Sequence, residues 1–131
     1  MELVNGDMAK LAKITQRILS DLNSDEFCAM YVSYLGTADW TDADKNFPDV
    51  DLTPEFKAQA KIDCRHFIQQ VYEIPASENF DWGQVGQDFW LTRNGHGAGF
   101  RDRPEMYDGR PNAERLDKIA RAFGVHYAEF L

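Results

Sequence analysis

Long apolar runs are missing from this chain; none approaches the roughly 20 residues that a membrane-crossing helix needs. The N-terminus, MELVNGDMAK, has no apolar signal-peptide core. The expectation is a soluble protein that stays in the cytoplasm and has no membrane partner. Cysteine is scarce too. Cys28 and Cys64 stand outside any C-x-x-C pair, and both read as reduced, buried small side chains rather than a disulfide. Basic side chains are outnumbered, with 14 Lys and Arg against 22 Asp and Glu, for a net charge of −8. Residues 1–79 hold 14 acidic and 7 basic side chains and residues 80–131 hold 8 and 7, so the excess is −7 in the first part and −1 in the second. Phosphate neutralisation needs clustered Lys and Arg, so direct binding of DNA or RNA is not expected. The opposite partner, a basic protein surface, fits this charge. Catalytic signatures are absent as well: no G-x-S-x-G, no H-E-x-x-H, no Walker loop, and no Cys–His pair that the sequence places together. No cofactor and no metal are expected.

What is present is a foldable composition. Apolar residues make up 44% and aromatics 13% of 131 residues, which argues against disorder and for a single domain over residues 1–131. Its first part, 1–74, reads as acidic and helical. The second, 80–131, is organised around Gln87 to Arg103, QDFWLTRNGHGAGFRDR. Asn94-Gly95 is a strong two-residue turn signal, because a type I′ turn needs φ > 0 at both central residues. A hairpin on that turn places Phe89, Leu91, Ala98 and Phe100 on one face, with Arg93 and His96 at the tip. The other face pairs Asp88 with Arg101 and lays Trp90 over Gly99. NGHGAG is not a phosphate loop: its spacing differs, no lysine follows, and its glycines sit in the expected hairpin.

DFWLTRNGHGAGF followed by Asp102-Arg103 resembles the signature of a small, largely uncharacterised family of bacteriophage-encoded proteins. The motif covers about a seventh of the chain. The resemblance implies a phage origin, an acidic helical part before the hairpin, and a helix with a short strand after it. It implies no activity.

Along the chain, 5–22 carries Met8, Leu11, Ile14, Ile18, Leu19 and Leu22 at helical spacing. Asn23 and Glu26 can form a capping box for a second helix, with Gly36 as its stop. Thr37 to Leu52 reads as a long acidic loop, pinned by Trp40 and Phe47. Thr53-Pro54-Glu55 is a strong helix start for a third helix ending near Tyr72. Ala76 to Gly86 reads as a linker. Asn112 can cap a last helix that Gly124 stops, and the alternation of Val125 to Phe130 suggests a third strand beside the hairpin. The expected fold is therefore α+β, with three N-terminal helices followed by a ββαβ unit.

The functional expectation is a non-enzymatic accessory protein of phage type. It would bind a basic host or defence protein, such as a nucleic-acid-binding complex, through its acidic surface, in the manner of a nucleic-acid mimic. Its candidate partner-binding residues are Asp39, Asp42, Asp44, Asp49 and Asp51 in the acidic loop and Trp90, Arg93, His96, Arg101 and Arg103 in and after the hairpin. The alternative is a small enzyme or ligand-binding module acting on a phosphate-containing substrate with the Arg93/His96 tip, where an imidazole beside a guanidinium can do acid–base work. A calcium loop at Asp42 to Asn46 lacks the required glycine and the terminal glutamate.

Overall fold

The computed structural model describes residues 25–42 and 51–131. The expected first helix, 5–22, lies outside these residues, as do Asp44, Phe47 and Asp49. Four α-helices are seen among the described residues: α1 (Asp25–Asp42), α2 (Pro54–Val71), α3 (Trp82–Arg93) and α4 (Arg110–Ala122). Short 3-10 turns occupy Pro75–Asn79, Phe100–Asp102 and Pro104–Tyr107. No strand occurs among the described residues; an isolated antiparallel bridge joins Leu52 and Phe130. Over the described residues the fold is helical rather than the expected α+β, and the segment expected to form a ββαβ unit contains no sheet.

The expected hairpin fails for a reason visible in the sequence once the window moves back. Trp82, Val85, Gly86, Phe89, Trp90 and Arg93 are all buried, at i, i+3, i+4, i+7, i+8 and i+11. That is a helical stripe, and it runs through the linker and the first expected strand. Asp81 caps the helix, its Oδ1 accepting from the Gln84 N–H at 3.1 Å. Asn94-Gly95 then serves as a helix stop instead of a hairpin turn. Gly95 has φ +71°, its N–H donates to the Thr92 carbonyl, and the His96 N–H donates to the Leu91 carbonyl. This pair of bonds is a Schellman motif, which closes the orphan carbonyls of the last turn.

α1 also departs from expectation. It runs through Gly36 to Asp42, because Phe27, Met30, Tyr34 and Ala38 keep one buried helical face across the glycine. A mid-helix glycine costs about 1 kcal/mol, which that burial exceeds. Asp39, Trp40 and Asp42 therefore sit on a helix rather than in a loop. Cys28, expected to be buried, is exposed on the same helix, while Cys64 is buried; neither is bonded. α2 starts on Thr53, whose Oγ1 accepts from the Phe56 N–H at 3.1 Å, with Pro54 in the first turn. α4 starts at Gly109, φ +114°, rather than at Asn112, whose side-chain amide donates to the Tyr107 carbonyl. Gly124, φ +77°, follows its end.

The core is aromatic. Phe67 of α2 stacks on Phe89 of α3 with centroids 4.0 Å apart, and Tyr34 of α1 and Phe123 pack against Phe89 at 5.4 and 5.2 Å. Such pairs add about 0.5–1.5 kcal/mol each beyond the area they bury. α1 and α3 pass at backbone contact: a Cβ on Gly86 would collide with the Met30 carbonyl. The C-terminal stretch keeps its alternation, with residues 126, 128 and 130 turned inward and 125, 127 and 129 exposed. It pairs with 51–53 (Thr53 N–H to the Glu129 carbonyl at 2.8 Å, Leu131 N–H to the Asp51 carbonyl at 2.9 Å) and with the Asn94 side chain, so no sheet forms.

Candidate functional site

The segment Asp88 to Arg103 is the last turn of α3 and the loop that folds back over it. Asp88, Thr92, Asp102 and Arg103 hold that loop in place. Asp88, fully buried, accepts from Gln84 Nε2 at 3.0 Å, from Arg103 Nε at 3.2 Å and from the Tyr107 hydroxyl in a short hydrogen bond. Burial pushes its carboxyl above the ordinary range, although Tyr107, Arg103 and Gln84 pull it back down. The same burial, reinforced by the Asp88 charge, drives the Tyr107 phenol far upward. Thr92 Oγ1 accepts from the Phe100 N–H at 3.1 Å, and a Cβ on Gly99 would strike that hydroxyl. Asp102 Oδ2 accepts from the Gly99 N–H at 3.0 Å.

Arg93 joins all four helices. It lies in the interior, pairs with Asp63 of α2 (Nη1 to Oδ2, 2.8 Å) and donates to the Tyr34 hydroxyl of α1 at 3.1 Å. Its Nε and Nη2 reach the Gly124 and Phe123 carbonyls at 2.7 and 3.2 Å, the electronegative end of α4. The Tyr34 hydroxyl also shares a hydrogen bond with His126 Nδ1, 2.6 Å away, which couples the C-terminal stretch to the Arg93 cluster. Burial and the Arg93 charge hold His126 below its ordinary value. Asn94 clasps the His126 backbone from both sides, accepting from its N–H at 2.7 Å and donating to its carbonyl at 3.2 Å.

The loop divides two clefts. His96 and Ala98 face one, of about 550 Å3, whose other wall is Gly36, Thr37 and Trp40 of α1. Gly97 and Gly99 face the other, of about 440 Å3, whose far wall is the flank of α4. No family model matches this chain, nor does any curated protein or solved structure.

The sequence-derived site residues separate accordingly. Trp90 is buried, donates its indole N–H to the His126 carbonyl at 3.2 Å and carries the His96 ring stacked on it at 5.0 Å. Trp90 and Arg93 thus belong to the interior and offer a partner no surface. His96 is exposed and lines the apolar cleft, Arg101 lines the polar one, and Arg103 is half-buried on Asp88 and the Ala98 carbonyl. Asp39 and Asp42 are exposed on α1. Asp51 is exposed and held by Lys57 Nζ at 2.8 Å, a hydrogen bond that lowers its carboxyl pKa. Asp44 and Asp49 lie outside the described residues. Trp40, like Cys28, stands where the sequence did not place it. Taken as a core anchor, it stands 87% exposed. A signal for it exists: Trp40 falls out of phase with the Phe27, Met30, Tyr34 and Ala38 stripe once the helix is continued through Gly36. Among the described residues no three His, Cys, Asp or Glu side chains gather as a metal site, and no helix is long and apolar enough to cross a membrane.

Proposed function

We propose that the protein is a small non-enzymatic binding protein of phage type, which occupies a basic surface on a host or defence protein in the bacterial cytoplasm. One observation carries the reading. Trp40 projects from α1 between exposed Asp39 and Asp42, on a helix with four acidic side chains and no basic one. An exposed indole is a strong anchor at protein interfaces, and flanking carboxylates steer a basic partner and exclude an acidic one. The apolar cleft beside Trp40 offers room for a partner's side chain. A basic surface used for nucleic acid is the natural target of such a patch, and blocking it would inhibit its owner.

Affinity capture from a bacterial host lysate at low and high salt tests this, with Trp40→Ala and Asp39→Asn/Asp42→Asn as variants. The reading expects a basic nucleic-acid-binding complex that is retained at low salt, displaced by DNA, and lost with either variant. Retention that ignores both variants would refute it. The alternative, a phosphate-directed site built on Arg93 and His96, loses its arginine to the interior; the arginines that do face solvent together stand elsewhere.

A further inference from the structure

The bonds that tie the C-terminal stretch, 125–131, to the helices gather at His126. Its backbone N–H donates to Asn94 Oδ1 at 2.7 Å, and its carbonyl accepts from Trp90 Nε1 and Asn94 Nδ2, each at 3.2 Å. Its ring stacks on Phe56 with centroids 4.1 Å apart. Farther along, the backbone bonds to Asp51 and Thr53 flank an isolated bridge, Leu52 to Phe130, with no sheet behind them. A segment held in this way can open by itself, because local opening costs less than global unfolding where backbone bonds are few and lie near solvent.

His126 also titrates, and its surroundings suit a neutral ring. Its Nδ1 lies 2.6 Å from the Tyr34 hydroxyl, which accepts from Arg93 Nη1 at 3.1 Å. These are the two hydrogen-bond partners of that hydroxyl among the described residues, and Tyr34 is fully buried, so water does not supply a third. Arg93 is a donor in every state. A neutral imidazole can offer Nδ1 as an acceptor for the phenolic proton, whereas an imidazolium donates from both nitrogens. On protonation the hydroxyl faces two donors, and its own hydrogen is left without an acceptor. Burial holds the phenol far above its ordinary value, so it does not resolve the conflict by ionising. Nor do the charges around the ring offset it. The Arg93 cation stands across one oxygen atom. Asp63 of α2 is already engaged by Arg93 and by Gln59, each at 2.8 Å. Glu129, on the stretch itself, is exposed and screened.

We propose that His126 is a proton-operated latch: taking up a proton releases residues 125–131 from Phe56, Trp90 and Asn94 while the four helices stay folded. The ring binds a proton more readily once released, so opening grows as pH falls below the ordinary histidine value of 6.5. The latch is separate from the Trp40 surface and stands or falls independently of it.

Amide hydrogen exchange of the whole protein, resolved by NMR and corrected for the pH dependence of chemical exchange, tests the proposal between pH 7.5 and pH 5. The reporters are the amides of Thr53, His126 and Leu131, which make the bonds that the latch holds. Phe67 of α2 and Phe89 of α3 serve as references. Leaving a buried hydroxyl without its acceptor favours opening about ten-fold, so the protection of the three reporters should fall together by about that factor while the references keep theirs. The imidazole carbon resonances of His126 should titrate over the same range. Tyr34→Phe removes the conflicting hydroxyl and keeps the ring, so the fall should be smaller. His126→Asn does not titrate and should abolish the pH dependence, whatever the level of protection it sets. The proposal is overturned if His126 does not titrate above pH 5, if the reporters keep their protection while it titrates, or if Phe67 and Phe89 lose protection with them. An undiminished fall in Tyr34→Phe, or an equal one in His126→Asn, would also overturn it.

Discussion

Arg93→Ala is the most informative single substitution. The wild-type guanidinium is 3% exposed and its partner Asp63 carboxylate 11% exposed, at 2.8 Å, so solvent does little to screen the pair. Alanine removes the cation and leaves Asp63 with Gln59 Nε2, at 2.8 Å, as its remaining side-chain donor. It also strips the Tyr34 hydroxyl and two α4 carbonyls of a donor, and removes a cation stacked 5.2 Å from Phe89 and 5.6 Å from Phe123. Breaking a buried pair from one side costs about 3–5 kcal/mol, against a typical total stability of about 5–15 kcal/mol. Urea unfolding followed by circular dichroism should show a loss of about 4 kcal/mol, a midpoint lower by about 2 M at a slope of about 2 kcal/mol/M. Asp63→Asn in the Arg93→Ala background should cost much less than in the wild type, with a coupling of at least about 1 kcal/mol. Arg93→Lys should recover only part of the loss, since one ammonium cannot span α1, α2 and the end of α4. A loss below about 1 kcal/mol, or full additivity with Asp63→Asn, would refute the view that this residue ties the four helices together.

Three further outcomes are expected. Gly86→Ala gains helix propensity of about 1 kcal/mol, but its methyl group collides with the Met30 backbone; the net effect should be destabilising by about 1–3 kcal/mol in thermal or urea unfolding. Ser77→Ala removes a buried hydroxyl that lacks a hydrogen-bond partner, so it should be neutral or stabilising by up to about 1 kcal/mol, unlike most buried polar truncations. His126 is held below its ordinary value of 6.5 by burial first and Arg93 second, opposed by Asp63 and Glu129. Between that lowered value and 6.5 the unfolded chain binds more protons than the folded one, so this group's contribution to stability falls as pH drops through the window. His126→Phe, which retains the ring stacked 4.1 Å from Phe56, should flatten that slope in unfolding measured from pH 7 to pH 5, whatever it does to absolute stability.

Much of this protein can be read locally. The Thr53-Pro54-Glu55 start, the excess of acid over base, and the inward alternation of residues 126–130 follow from interactions spanning a few residues, namely caps, charge and side-chain direction. Even the helix over Trp82–Arg93 is legible, from a stripe that begins at Trp82 and would be missed in a window opened at Gln87. Other features required the tertiary structure. Asn94-Gly95 announces a positive φ, and that requirement is met equally by a hairpin turn and by a helix stop. Only the packing of Phe89 and Trp90 between α1, α2 and the C-terminal stretch selects the second. Gly36 likewise signals an end that burial of Tyr34 and Ala38 overrides, and that choice turns Trp40 from a core anchor into a surface one. Arg93 shows the same limit from the other side. Its chemistry is plain in the sequence, but its partners lie 30, 31 and 59 residues away. A charged side chain reads as surface until the fold delivers an acid and three oxygens to it, because its desolvation is repaid only by groups that no local pattern brings together.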